Sequence, residues 1–144
     1  MMMKVIPTLA VAALLGLSTG SYAAKPKATV LKEKVAFQIS DADPKKLYIA
    51  LNAAKNVQTT YGKENSLIEV IAFGPGVSLL TLDSEAGQRI DDAIKSGIKV
   101  VVCGNTMTSM KLTEADMLPN LSYVPGGILE LMQKQKQGYA YILP

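Results

Sequence analysis

The sequence predicts an α/β domain: a three-layer α/β/α arrangement with a central, mainly parallel sheet of about five strands. Three observations predict it. Strand-like and helix-like segments alternate along residues 34–144. Two strand segments, residues 67–73 and 98–103, are almost continuously apolar and β-branched, as strands covered on both faces are. Helix caps and glycine stops separate them.

The elements follow in order. Lys34 to Ile39 is a strand, with Val35, Phe37 and Ile39 alternating on one face. Asp43 then caps a helix and Pro44 takes its first position. Leu47, Ala50, Leu51, Ala54, Val57 and Tyr61 form one apolar face, and Gly62 ends the helix in a left-handed cap. Leu67 to Phe73 is the second strand, stopped by Gly74-Pro75-Gly76; a short helix is expected over 77–82. Asp83-Ser84 is expected to cap the next helix, whose buried face is Ala86, Ile90, Ala93 and Ile94. Ile98 to Cys103 is the third strand. Asn105-Thr106 is expected to cap a short helix carrying Met107 and Met110. Thr113 to Asp116 resembles a capping box. Leu121 to Val124 is the fourth strand, Pro125-Gly126-Gly127 a tight turn, and Ile128, Leu129, Leu131 and Met132 mark a last helix. Gly138 ends that helix, and Tyr139 to Leu143 is a terminal strand. Strand order does not follow from the sequence.

Upstream, residues 1–23 have the parts of a secretory signal: Lys4 in a short n-region, an apolar run from Val5 to Leu17, and Ser21-Tyr22-Ala23 with small residues at the cleavage positions. The expectation is a cleaved signal, a linker over 24–33, a domain over 34–144 and a periplasmic location. Loss of Lys4 takes the formal charge from +3 to +2. So small and evenly spread a charge does not point to nucleic acid, and no membrane association is expected after cleavage.

The chain has no histidine, which excludes a Ser-His-Asp triad, a Cys-His dyad and a His-ligated zinc. The acidic residues never form a calcium-loop pattern, and no GxGxxG or phosphate-loop motif occurs. No metal and no cofactor are expected. Met107, Met110 and Met117 are expected to pack or to line an oligomer contact rather than to bind copper.

In open α/β sheets ligands bind beyond the carboxyl ends of the strands. Those ends carry Asp41, then Gly74 and Gly76, then Cys103-Gly104-Asn105-Thr106, and then Pro125-Gly126-Gly127. Cys103 is the only cysteine, so no internal disulfide is available. At a strand end before a helix N-terminus its thiolate is favoured. Free cysteines are also among the most buried residues, so a structural role stands beside a reactive one. Asp41 is a candidate acceptor or base, whereas Asp43 is explained as a cap.

Four stretches together resemble the DsrE/DsrF-like family, in its exported branch. They are Lys34 to Asp41, Ala72-Phe73-Gly74-Pro75-Gly76, Ser96 to Met107, and Tyr123-Val124-Pro125-Gly126-Gly127. The resemblance implies the three-layer fold and usually an oligomer. The best-understood members are cytoplasmic sulfur relays that carry a persulfide on a cysteine after a sheet strand, and Cys103 resembles that cysteine in position. This chain differs in its signal-like segment and in lacking a second cysteine nearby. The leading expectation is a sulfur-handling protein, at most a sulfurtransferase or sulfur carrier, that binds or relays sulfane sulfur on Cys103. Gly104, Asn105 and Thr106 would supply N–H or hydroxyl groups, and its partners would be copies of itself and a sulfur donor or acceptor protein. The rival is a non-catalytic ligand-binding or assembly module in which Cys103 is core.

Overall fold

A computed structural model describes residues 31–144 of the chain; the signal-like segment 1–23 and residues 24–30 of the linker lie outside the described residues. Five strands form one sheet in the order β4-β3-β2-β1-β5: β1 (Glu33–Ile39), β2 (Ser66–Ala72), β3 (Lys99–Cys103), β4 (Ser122–Val124) and β5 (Ala140–Ile142). Every pairing is parallel, with Phe37 beside Val70, Val70 beside Val100 and Val102 beside Tyr123. Four helices connect the strands: α1 (Pro44–Tyr61), α2 (Gly87–Lys95), α3 (Gly104–Ser109) and α4 (Gly127–Lys136).

The order explains the layers. From β1 to β4 the chain steps across the sheet in one direction, so its right-handed crossovers place α1, α2 and α3 on one face. The connection from β4 to β5 runs back across the whole sheet and places α4 on the other face, over β1, β2 and β3.

Alternation along the strands divides the core accordingly. Phe37, Ile39, Ile68, Val70, Ala72, Val100 and Val102 pack with Leu47, Ala50, Leu51 and Ala54 of α1 and Ile90 and Ala93 of α2. Each large side chain fully buried there contributes roughly 1.5–3 kcal/mol. On the α4 face, Ala36, Ile71 and Val101 pack with Leu131 alone as the fully buried apolar side chain of the helix.

Local chemistry accounts for the element ends. Asp43 Oδ1 accepts the Lys45 N–H at 2.9 Å, with Pro44 at the first helical position of α1. Thr113 and Asp116 form the capping box, around a 3-10 turn over Glu114–Asp116.

Several expectations need correction. Gly62 has φ 90° and ψ 146°, positive but extended rather than left-handed helical. Tyr61 is exposed, while Gln58 is buried and donates from Nε2 to the Ser96 carbonyl at 3.0 Å. The short helix expected over 77–82 is a 3-10 helix that already starts at the glycines, Gly74–Leu80. Asp83 and Ser84 do not cap α2. Asp83 accepts from the Thr81 hydroxyl; the Ser84 hydroxyl donates to the Leu79 carbonyl and accepts the Ala86 N–H at 3.2 Å, closing a turn that precedes α2, which begins at Gly87 with Ala86 as its N-cap residue. Asn105 and Thr106 lie inside the first turn of α3, and Cys103 itself is its N-cap residue.

Candidate functional site

Cys103 is the last residue of β3, and its register partner Val124 is the last residue of β4. The chain leaves β3 toward the α1/α2 face and leaves β4 toward the α4 face. Neighbouring strands whose connections part to opposite faces open a crevice at their carboxyl ends, the usual place for a ligand in such sheets. The lone thiol lies at that divergence.

The thiol is enclosed rather than open, at 5% exposure. Its Sγ lies 4.0 Å from the Pro125 carbonyl oxygen. Burial pushes the Cys103 pKa up, but the Thr106 hydroxyl and the backbone N–H groups of Gly127, Thr106 and Asn105 outweigh it. The net result is a pKa below the ordinary 9.0. The donors come from the starts of both diverging helices, α3 and α4. They act on charge already formed at sulfur, so they favour thiolate over thiol.

Two further contacts hold this arrangement. Thr106 Oγ1 accepts the Gly74 N–H at 2.9 Å, which leaves the hydroxyl proton free to turn toward sulfur. Gly127 packs so closely on Phe73 that a Cβ there would meet the Phe73 ring at 2.9 Å. Only glycine lets the first turn of α4 come this near to the strand ends.

The expected site residues divide by position. Cys103, Asn105 and Thr106 are brought together. Gly74 joins them through its bond to Thr106. Gly104 turns toward the β4 end, where a Cβ would lie 3.2 Å from the Val124 carbonyl oxygen. Gly76 is buried against the end of β1; a Cβ there would fall 2.3 Å from the Ile39 carbonyl oxygen, so its place is in backbone packing. Asp41 pairs with Lys46 at the β1 end. With β2 between β1 and β3, it stands about 10 Å from the thiol by strand spacing alone. The Pro-Gly-Gly turn at the fourth strand end puts Pro125 and Gly127 on the rim, but the sequence does not assign them to the surroundings of the thiol.

An open depression of about 610 Å³ adjoins the site, with Gly74, Pro75, Asn105, Thr106 and Met110 on its wall. Cys103 is not on that wall, and Thr106 is shared between the two. Met107 and Met117 are core residues, while Met110 is exposed. A second cleft, of about 540 Å³, lies between α1 and α2, with Lys55, Lys63 and Arg89 on its wall. Arg89, in the first turn of α2, lies over the Tyr48 ring of α1 at 4.4 Å. Among the described residues no group of three His, Cys, Asp or Glu is placed to hold a metal ion, and no helix is long and apolar enough to cross a membrane.

An all-parallel α/β/α domain with a hydrogen-bonded thiol at the rim of its sheet defines the class of this protein. The chain belongs to the DsrE/DsrF-like family, whose profile matches residues 33–144. Its fold is similar to that of a protein of unknown function from Methanobacterium thermoautotrophicum, MTH1491, with a TM-score of 0.74 and 26% identity over 78% of this chain and 100% of that one. It is also similar in fold to a conserved protein of unknown function from Bacteroides thetaiotaomicron, BT1422, with a TM-score of 0.64 and 18% identity over 78% of this chain and 95% of that one. No curated protein matches it significantly by sequence.

Proposed function

We propose that this is a periplasmic sulfur-handling protein in which Cys103 binds or relays sulfane sulfur as a persulfide. The observation that carries the reading is the thiol enclosed at the divergence of β3 and β4, 4.0 Å from the Pro125 carbonyl oxygen, with the Thr106 hydroxyl and nearby backbone N–H groups favouring its thiolate. Membership of a family that often relays sulfur supports it.

The chemistry needs only thiolate and donor. The Cys103 thiolate attacks the terminal sulfur of a donor persulfide, R–S–SH. The donor S–S bond breaks as a new S–S bond forms to Cys103, and the donor leaves as the thiolate R–S⁻. The proton stays on the transferred sulfur, and no net oxidation occurs. An acceptor thiolate reverses the step onto itself. The N–H groups that hold the thiolate serve equally for the anionic persulfide.

Incubating the protein from Ala24 onward with polysulfide and measuring intact mass tests the reading. Wild type is expected to gain sulfur and Cys103→Ser to gain none. No gain on wild type, or equal gain on the variant, sinks it.

The second reading, an assembly or binding module with a structural cysteine, is favoured by the 5% exposure of the thiol. It predicts that native Cys103 resists alkylation; rapid labelling of the folded protein counts against it. Location and assembly belong to the same proposal. The signal-like segment 1–23 supports export, and recovery of a chain starting near Ala24 from the periplasm of a Gram-negative host checks it. Exposed Tyr141, Ile142 and Leu143 along the β5 edge support a homo-oligomer, which light scattering in solution reads directly.

A further inference from the structure

The face of the sheet that carries Cys103 holds a second unusual group. Glu69 lies in the middle of β2 and is 5% exposed. Ile71 and Val101 pack on Leu131, so Glu69, two residues before Ile71, points to the same side, beneath α4. Its Oε1 meets Lys134 Nζ of α4 at 2.7 Å and Lys99 Nζ of β3 at 3.4 Å. Its Oε2 is buried with no hydrogen-bond partner among the described residues. Lys134 also reaches Glu130 at 3.4 Å, and its ammonium lies 5.1 Å from the centre of the Tyr139 ring, which has Lys34 of β1 at 5.9 Å. No charged group from α1 or α2 faces this cluster, because the sheet lies between.

The pair matters because little else seats α4. Leu131 is buried, but Ile128, Leu129 and Met132 are each about half exposed or more. A buried ion pair adds little net stability over a packed apolar pair, yet loss of one partner strands the other charge. Such a pair therefore fixes where a helix sits more than how tightly it is held. The same helix delivers the Gly127 N–H to the thiol from its first turn, about two turns before Lys134.

We propose that Glu69 and Lys134 are positioning residues for Cys103: their ion pair sets the seat of α4, and α4 sets the Gly127 N–H against the thiol. The inference rests on the reading of Cys103 as the reacting group and extends it to the opposite end of the covering helix.

The pH profile of Cys103 alkylation by iodoacetamide, read in the folded protein, tests it. The double variant Glu69→Leu/Lys134→Met removes both charges and leaves an apolar pair, so it is expected to keep the wild-type melting temperature. Its alkylation midpoint is nevertheless expected to rise by about one pH unit, as the thiolate loses a well-placed donor. Lys134→Met alone should raise the midpoint similarly. Lys134→Arg, which keeps the charge, should return it to the wild-type value. A folded double variant with the wild-type midpoint overturns the proposal, and so does a Lys134→Arg variant that behaves like the double variant. Should Lys134→Met fail to fold, the double variant alone decides. Persulfide formation is a separate readout: wild type that takes up no sulfur sinks the functional reading, whereas an unmoved midpoint sinks only this one.

Discussion

The two faces of one sheet are built from the same strands and have opposite characters. In β2, Ile68, Val70 and Ala72 point to α1 and α2, while Glu69 and Ile71 point to α4. In β3, Val100 and Val102 point one way, and Val101 and Cys103 the other. The first face meets α1, α2 and α3 over an apolar core. The second meets one helix, a single buried leucine, an ion pair and the thiol. The lesson is a division of labour at single-residue spacing. One face holds the fold together, so the other tolerates a buried charge, an orphaned oxygen and a polar enclosure for sulfur.

The largest test of that division is a pair of truncations. Leu47→Ala empties a fully enclosed position in α1 and is expected to cost about 3–5 kcal/mol of unfolding free energy. Leu131→Ala, under α4, is expected at the low end for such changes, about 2–3 kcal/mol, because its surroundings are thin and can close. Denaturant titration measures both, and equal costs would break the comparison. Leu131→Ala should also loosen the cover over Cys103 and speed its alkylation, whereas Leu47→Ala in its folded range should not.

Gly127→Ala comes next. The added methyl meets Phe73 at 2.9 Å and must push the start of α4 away from the strand ends. Overpacking of this kind costs about 1–3 kcal/mol. The same displacement removes the Gly127 N–H from sulfur, so the alkylation midpoint of Cys103 should rise with the loss of stability. Lost stability with an unmoved midpoint would separate packing from enclosure and weaken the link between them.

Thr106→Val is smaller in stability and sharper in chemistry. It deletes the hydroxyl that accepts from Gly74 and donates to the thiol, and it leaves the Gly74 N–H without its partner, at about 1–2 kcal/mol. With one donor fewer, burial weighs more heavily and the Cys103 pKa rises. Alkylation near pH 7 is expected to slow by about tenfold, with little change at strongly alkaline pH.

What could be read from the sequence follows the range of the interactions. The start of α1 was legible because Asp43 and Pro44 act within three residues. The doubly covered β2 and β3 were legible from composition. The rim position of Cys103 followed from one strand end. Its true enclosure did not, because Gly127 reaches it only through the pairing of β3 with β4, a contact between segments far apart in sequence. The start of α2 was expected too early for a related reason: Asp83 is engaged by Thr81, and Ser84 closes a turn onto Ala86 before the helix begins. Glu69 was overlooked although its signal was present. A carboxylate in an otherwise apolar strand requires a cation from elsewhere, and nothing in the sequence identified Lys134 as that cation.

The most delicate prediction concerns pH, and both shifted groups in it belong to the α4 face. The Cys103 pKa is lower in the folded protein than its ordinary 9.0. Between the two values the unfolded chain holds a proton that the folded chain has released, so stability rises with pH. The contribution is fully present above 9.0 and is lost as pH falls through the folded value. Lys134 runs the other way. Burial alone would lower its pKa, but the hydrogen bond and charge of Glu69 raise it above 10.5. Its contribution is fully present below 10.5 and is lost as pH rises through the folded value. The melting temperature of wild type, taken relative to Cys103→Ser at each pH, should therefore climb through the mildly alkaline range and level off above 9.0. In a Cys103→Ser background, the melting temperature taken relative to the added Lys134→Met change should hold steady there and fall only beyond 10.5. A flat Cys103→Ser difference would mean that the donors around sulfur do not hold a thiolate, and the polar face would lose its chemical meaning while keeping its shape.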